Sequence, residues 1–162
     1  MGRWKYRVVG TCMILSLAIS YSALGECEPT PEATASASRY VVKGDVVYDK
    51  KTDLTWMRCN QGQHWHEGSG CLGEPKQSNC EQANVARTDM WRVSTIDELK
   101  TIVAKGCKNP AVHEAIFPDT TGGYWSSTKI DSSCWRVEFD YGGAYLGNWW
   151  DAHFIRLVRS GE

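Results

Sequence analysis

The sequence predicts an α+β domain that is built on an antiparallel sheet and stabilised by disulfides. Predicted strands open and close the chain, and two helix-capping patterns lie between them, which is an order typical of α+β proteins. Six cysteines follow residue 25 in this chain of 162 residues. An even number of cysteines in a short exported chain favours a disulfide framework. We therefore expect an antiparallel sheet, two main helices and long clamped loops.

Residues 1–25 have the pattern of a secretory signal peptide. Three basic residues lie within the first seven, residues 8–23 are mostly apolar, and Ala23-Leu24-Gly25 is a small-x-small cleavage signal. An uncleaved anchor is the alternative, but the apolar run is short and is interrupted by hydroxyl side chains. We expect a secreted or periplasmic protein.

The remainder of the chain, residues 26–162, suits one domain. Cleavage of the leader leaves 15 basic and 19 acidic residues, so the charge gives no general attraction to nucleic acid or to anionic membranes. No second apolar run approaches membrane-spanning length, which predicts no membrane insertion after cleavage.

The first half of the domain is predicted to be strands followed by a long loop. Residues 26–39 are rich in Pro, Thr, Ala and Ser, which predicts a flexible linker ahead of a domain over 40–162. Residues 40–48 predict a hairpin or a broken strand, and residues 54–57 another strand. The loop that follows contains Cys59 and Cys71, and a bond between them would clamp it.

Two capping boxes predict the two main helices. Ser78 with Glu81 opens one that runs to about Arg87, and Thr95 with Glu98 opens another that stops at Gly106. A third short helix is predicted over 111–116, because Pro suits a first helical position.

Strand patterns return in the last third of the chain, over 124–128, 135–141, 144–150 and 154–159. Residues 135–141 alternate strictly, with Trp135, Val137, Phe139 and Tyr141 on one face. The first and last strands are expected to pair with each other.

These elements carry an ordered set of short motifs. The most specific are Thr52-Asp53-Leu54-Thr55-Trp56, Trp91-Arg92-Val93-Ser94-Thr95, Tyr124-Trp125-Ser126-Ser127-Thr128 and Ile155-Arg156-Leu157-Val158-Arg159. With them the chain resembles the bacterial Lcl C-terminal domain family, named for a collagen-like surface adhesin. The resemblance implies a C-type-lectin-like fold, surface adhesion and polysaccharide binding. The chain lacks a collagen-like repeat, and Ser94 stands where the family usually has Pro.

The predicted binding surface lies in the aromatic, glycine-rich stretch between Tyr141 and His153. Sugars have apolar C–H faces that stack on rings and hydroxyls that need short polar partners. If the chain is extended, Trp149 and Trp150 point opposite ways, so one of them should be exposed. The candidate ligand-binding residues are Tyr141, Tyr145, Asn148, Trp149, Trp150, Asp151 and His153.

Two other functions remain open. The same surface could dock onto an envelope or host protein, as in an inhibitor or an assembly subunit. A cysteine-dependent oxidase is a remote alternative that the resemblance suggests through related folds, but no catalytic motif is visible. No metal or other cofactor is expected, although calcium is possible through Asp140, Asn148 and Asp151. The pairing of Cys27, Cys80, Cys107 and Cys134 is left open.

Overall fold

A computed structural model of the chain describes residues 26–27, 36–88 and 90–162. Within these residues the protein is mostly β, with antiparallel sheets, two short helices and three disulfides. The predicted signal peptide, residues 1–25, and residues 28–35 of the predicted linker lie outside the described residues.

The described residues form twelve strands and two helices. The strands are β1 (Glu26–Cys27), β2 (Tyr40–Lys43), β3 (Val46–Asp49), β4 (Leu54–Met57), β5 (His64–His66), β6 (Gly70–Leu72), β7 (Arg92–Val93), β8 (Cys107–Lys108), β9 (Gly123–Ile130), β10 (Ser133–Glu138), β11 (Gly143–Gly147) and β12 (Leu157–Ser160). The helices are α1 (Cys80–Val85) and α2 (Ile96–Thr101).

Two sheets organise the domain. The larger has the order β2-β3-β4-β12-β7, and the smaller has the order β11-β10-β9. The predicted hairpin is confirmed, because β2 pairs with β3 in antiparallel register. The last strand, β12, joins the first strands through β4 and not through β2, so the two ends of the domain meet within one sheet but are not adjacent.

The three-stranded sheet separates two apolar cores. On one face Val137 and Tyr124 pack against the larger sheet and α2, together with the fully buried Trp56. On the other face Trp125 and Cys134 pack against α1. Trp56 and Trp125 are fully buried in these cores, whereas Trp91 and Trp135 are only half-buried.

Helix α2 begins at the capping box that the sequence predicts. Thr95 accepts a hydrogen bond from the Glu98 backbone N–H, and the Glu98 carboxylate accepts one from the Thr95 N–H. Arg92 donates two bonds of 2.7 Å to the same carboxylate. Burial acts to raise the pKa of Glu98, but the bonds from Arg92 and Thr95 outweigh it and the pKa is lowered.

We expect Glu98→Gln to lower the free energy of unfolding by about 1 kcal/mol at neutral pH, since it removes a charge-assisted pair with Arg92. A lowered pKa means that the carboxylate stabilises the fold above the ordinary glutamate value of about 4.3 and loses this effect as the pH falls through the folded-state value. Urea unfolding should therefore show the difference from wild type shrinking in acid.

Asp97→Asn is the control for this measurement, because the Asp97 carboxylate is highly exposed and pairs with Lys100 at the surface. It should change stability by less than about 0.5 kcal/mol. A Glu98→Gln difference that stays constant from neutral to strongly acidic pH would contradict the role assigned to this pair.

Helix α1 begins one residue later than the sequence indicated. Its N-cap is Asn79, which forms the capping box with Gln82 in place of Ser78 with Glu81. The Ser78 backbone is extended, because its N–H and C=O both pair with His153 and its C=O also accepts from Trp125 Nε1. Tertiary pairing therefore decides between two overlapping capping patterns.

The predicted third helix over 111–116 is wrong. The peptide bond before Pro110 is cis, and Asn109 has a positive φ of 49°. The Asn109 and Ala111 N–H groups donate to the carbonyls of Asp140 and Phe139, which draws this segment alongside the end of β10. Only a single turn forms, closed by the Phe117 N–H on the His113 carbonyl.

The disulfides are Cys27–Cys107, Cys59–Cys71 and Cys80–Cys134. The predicted Cys59–Cys71 bond is confirmed and clamps the hairpin of β5 and β6. The described parts of the predicted linker, residues 26–27 and 36–39, both form hydrogen bonds with the domain. Cys27 lies in β1, which pairs with β8, and Arg39 donates to Asp49 and to the Thr101 carbonyl.

Neither α1 nor α2 has the length and apolar character needed to span a bilayer, and the described residues contain no other helix that does.

Candidate functional site

Exposed apolar side chains are concentrated on one short stretch. The described residues contain ten large hydrophobic side chains that are exposed, and half of them fall within 141–150. Four of these five are aromatic, and we call them the aromatic surface: Tyr141, Tyr145, Trp149 and Trp150. Leu146 pairs opposite Trp135 and points to the other face of β11 from Tyr145. Clustered exposed apolar groups of this kind mark binding surfaces more often than single ones do.

The β10–β11 hairpin positions the first part of this surface. Tyr145 lies directly across from Arg136, which in turn lies across from Trp125 on β9, so the three side chains share one face of the sheet. Tyr141 and Tyr145 contact each other edge to face, with ring centroids 5.8 Å apart. Partial burial and the hydrogen bond with Tyr145 raise the pKa of Tyr141.

Glycines on this face leave room for the rings. A Cβ on Gly143 would lie 2.5 Å from the Tyr145 ring, and a Cβ on Gly147 would lie 2.4 Å from the Trp125 ring. A Cβ on Gly123 would similarly meet the His153 imidazole. Any side chain at Gly143 would therefore push Tyr145 away from the sheet and disturb the aromatic surface.

The two neighbouring tryptophans lie in a turn, not in the extended segment that the sequence predicted. The Asn148 backbone N–H donates to Asp151 Oδ2 at 2.9 Å, and the Asp151 N–H donates back to the Asn148 carbonyl at 3.1 Å. Trp149 and Trp150 are 52 % and 63 % exposed and contact each other edge to face. Both rings, and not just one, therefore reach solvent.

His153 is separated from this exposed layer. Its ring packs edge-on against Trp125 at 4.7 Å, and its backbone pairs with Ser78. Burial, and then the positive charge of Arg136, lower the pKa of His153. Its Nε2 atom is buried without a partner among the described residues. His153 therefore packs beneath the sheet against Trp125, whereas the four rings of the aromatic surface are exposed.

Arg136 and Glu138 lie beside the aromatic surface, although no sequence pattern marked them as candidates. They form an ion pair, and their side chains are only 20 % and 14 % exposed. The Arg136 guanidinium lies 5.8 Å from the centre of the Tyr145 ring. The alternation of residues 135–141 does indicate their position, because it places both side chains on the face opposite Val137.

The possible calcium ligands are engaged in hydrogen bonds. Asp140 Oδ1 accepts from the Gly122 N–H at 2.9 Å, and Asp151 Oδ2 accepts from Asn148. In the described part of the chain one cluster of three side chains has metal-ligand spacing, namely Cys27, Cys107 and His113. Two of its members are joined in a disulfide, so their sulfurs are not thiolate ligands.

The sequence model of one protein family, the Lcl C-terminal domain, matches residues 45–159, which is well over half of the chain. The matched region includes the whole aromatic surface and both helices. No curated protein and no solved structure matches the chain.

Proposed function

The chain belongs to the Lcl C-terminal domain family, and from this premise we propose that it is a non-catalytic, adhesin-like module that binds a glycan or another surface polymer. The observation that carries the proposal is the aromatic surface, where four aromatic rings remain exposed on a hairpin and an adjoining turn. Aromatic rings of this kind offer large rigid contact area to the apolar faces of sugar rings.

Polar groups beside the rings would orient the ligand. The Asn148 side chain is exposed, and the Asp151 carboxylate accepts hydrogen bonds with free lone pairs remaining. We propose that these oxygens accept hydrogen bonds from sugar hydroxyls, and that the Arg136–Glu138 pair fixes the orientation of the Tyr145 ring. His153 would act indirectly, by holding Trp125 and β9 in place.

A C-type-lectin-like fold is part of this proposal. The two antiparallel sheets, the two short helices and the clamped loop support it. Three disulfides are consistent with a periplasmic or extracellular location, where such bonds persist. The predicted leader would deliver the chain there.

We propose that the cysteines are structural and that the protein is not an oxidase. All six cysteines of residues 26–162 are disulfide-bonded, which supports this role. A titration of the unreduced protein that finds two free thiols would overturn it. We also propose that binding needs no calcium, so that a chelator should leave it unchanged.

Docking onto a protein is the second candidate function. Trp, Tyr and Arg are the residue types that contribute most at protein interfaces. The aromatic surface supplies tryptophans and tyrosines, and Arg136 lies beside Tyr145. Capture of one defined envelope or host protein, together with a blank glycan array, would favour this function.

A glycan array tests the primary proposal. We expect wild type to bind at least one glycan, and Trp149→Ala and Trp150→Ala each to weaken that binding by at least about tenfold, because each variant removes one stacking ring. Val85→Ala is the matched control, since Val85 is 72 % exposed on α1 and lies outside the aromatic surface. Equal binding by wild type and both tryptophan variants would contradict the proposal.

A further inference from the structure

A concave, cationic site lies next to the segment that carries Tyr141, since Val103 lines it and a Cβ on Gly142 would lie 2.7 Å from the Val103 side chain. A cavity of about 540 Å³ opens between the start of β2, the β3–β4 turn and the end of α2. Four cationic side chains line it: Arg39, Lys51, Lys100 and Lys105. The whole chain has a net charge of −1, so this concentration of positive charge is local. A concave surface lined by one sign of charge attracts ions of the opposite sign.

Two of these cations are already neutralised. Arg39 donates to the buried Asp49 carboxylate at 2.8 Å, and Lys100 pairs with Asp97 at 3.1 Å. Lys51 and Lys105 form no ion pair within the part of the chain that the structure describes. The cavity therefore offers two uncompensated ammonium groups, which match a ligand with two negative charges.

Neutral donors contribute little to this cavity. The Thr52 hydroxyl donates to Asp49 at 2.8 Å, and the Thr101 hydroxyl donates to the Glu98 carbonyl at 2.6 Å. The Ser36 hydroxyl shares a hydrogen bond of 2.9 Å with His113. Charge, and not a ring of hydroxyl donors, would select the ligand here.

We propose that this cavity binds a phosphate monoester carried on a molecule of about one or two sugar units. A phosphate monoester has a charge between about −1.5 and −2 at neutral pH, whereas a sulfate ester or a carboxylate has only one negative charge. Lysine ammonium groups bind phosphate as mobile point charges. The cavity falls within the usual range of small-molecule sites and is much larger than a bare phosphate needs.

Binding should depend on pH through the ligand. A phosphate monoester loses its second charge near a pKa of about 6, so we expect affinity for it to fall about tenfold between pH 8 and pH 5. The charged groups around the cavity are the four cations, Asp49 and Asp97. Burial, and then Arg39, lower the pKa of His113 behind Ser36, so its imidazole is neutral at pH 7.

The test is isothermal titration of the purified, oxidised protein with glucose 6-phosphate, glucose 6-sulfate, glucose and inorganic phosphate. We expect glucose 6-phosphate to bind at least about tenfold more tightly than each of the other three. The double variant Lys51→Gln/Lys105→Gln should lose this binding. Lys129→Gln should keep it, because Lys129 is exposed on β9 and does not line the cavity.

Three results would overturn the proposal. The first is equal affinity for glucose 6-phosphate and glucose 6-sulfate, and the second is equal affinity for glucose 6-phosphate and inorganic phosphate. The third is unchanged binding of glucose 6-phosphate by the double lysine variant. Circular dichroism of that variant checks its fold, and both lysines are exposed, so a folded variant is expected. Glycan binding at the aromatic surface should be unaffected, which separates this test from that of the proposed function.

Discussion

Replacing Arg156 with methionine should lower the free energy of unfolding by at least about 3 kcal/mol. The side chain is fully buried, and its guanidinium donates to the carbonyls of Met57 and Arg58, to Asn60 Oδ1 and to Thr120 Oγ1. Methionine has a similar volume but no donors, so these buried acceptors would lose the donor that Arg156 supplies, and of them Asn60 Oδ1 would keep the Tyr124 hydroxyl as a partner. Each buried polar group left without a partner lowers the free energy of unfolding by about 1–3 kcal/mol.

The reason for so large an effect is that Arg156 links three parts of the chain. It joins the end of β4 and the following loop to the segment before β9, and Tyr124 donates to the same Asn60 oxygen at 2.6 Å. Burial lowers the pKa of Arg156, and the interaction with Tyr124 opposes this shift. The two terminal nitrogens of the guanidinium donate to neutral oxygens, and its buried Nε has no hydrogen-bond partner among the described residues.

Urea unfolding followed by tryptophan fluorescence measures the effect, with Arg159→Met as the matched control. Arg159 lies in β12, the strand that begins directly after Arg156. It is only half-buried, its guanidinium lies over the Trp91 ring, and it donates to the Glu162 carbonyl. We expect the control to cost less than about 1 kcal/mol. If Arg156→Met does not fold, Arg156→Lys should fold with reduced stability, and wild-type stability of either variant would contradict the role.

The features that the sequence predicted correctly depend on local chemistry. The capping box of Thr95 and Glu98, the hairpin over 40–48 and the short-range Cys59–Cys71 bond each involve residues close in the chain. Their geometry is largely decided within one or two turns, so neighbouring residue types suffice to identify them.

The features that were missed depend on contacts between distant segments. Residues 111–116 have an acceptable helix start, yet backbone bonds to 139–140 prevent a helix. The alternation of residues 135–141 continues in the sequence to Tyr141, but β10 ends at Glu138 and Tyr141 becomes exposed. In the site, the turn closed by Asn148 and Asp151 exposes both tryptophans, which an extended chain would not do.

The Cys80–Cys134 bond should contribute about 4 kcal/mol to the free energy of unfolding on the chain-entropy estimate. It spans 54 residues and joins α1 to β10 in the core that contains Trp125. Asn84 donates to the Cys80 carbonyl at 2.7 Å and lies 3.1 Å from Cys134 Sγ. The double variant Cys80→Ala/Cys134→Ala therefore loses a long-range crosslink together with packing around Asn84.

Urea unfolding without reductant measures this loss, and Cys59→Ala/Cys71→Ala is the matched control. The control bond spans only 12 residues, so its removal should cost about 3 kcal/mol on the same estimate. Amide hydrogen exchange separates the two variants further. Because Trp125 packs with Cys134 and lies beneath Gly147, loss of Cys80–Cys134 should increase exchange in β11, whereas loss of Cys59–Cys71 should not. Equal exchange in β11 for both variants would show that the aromatic surface does not depend on this core.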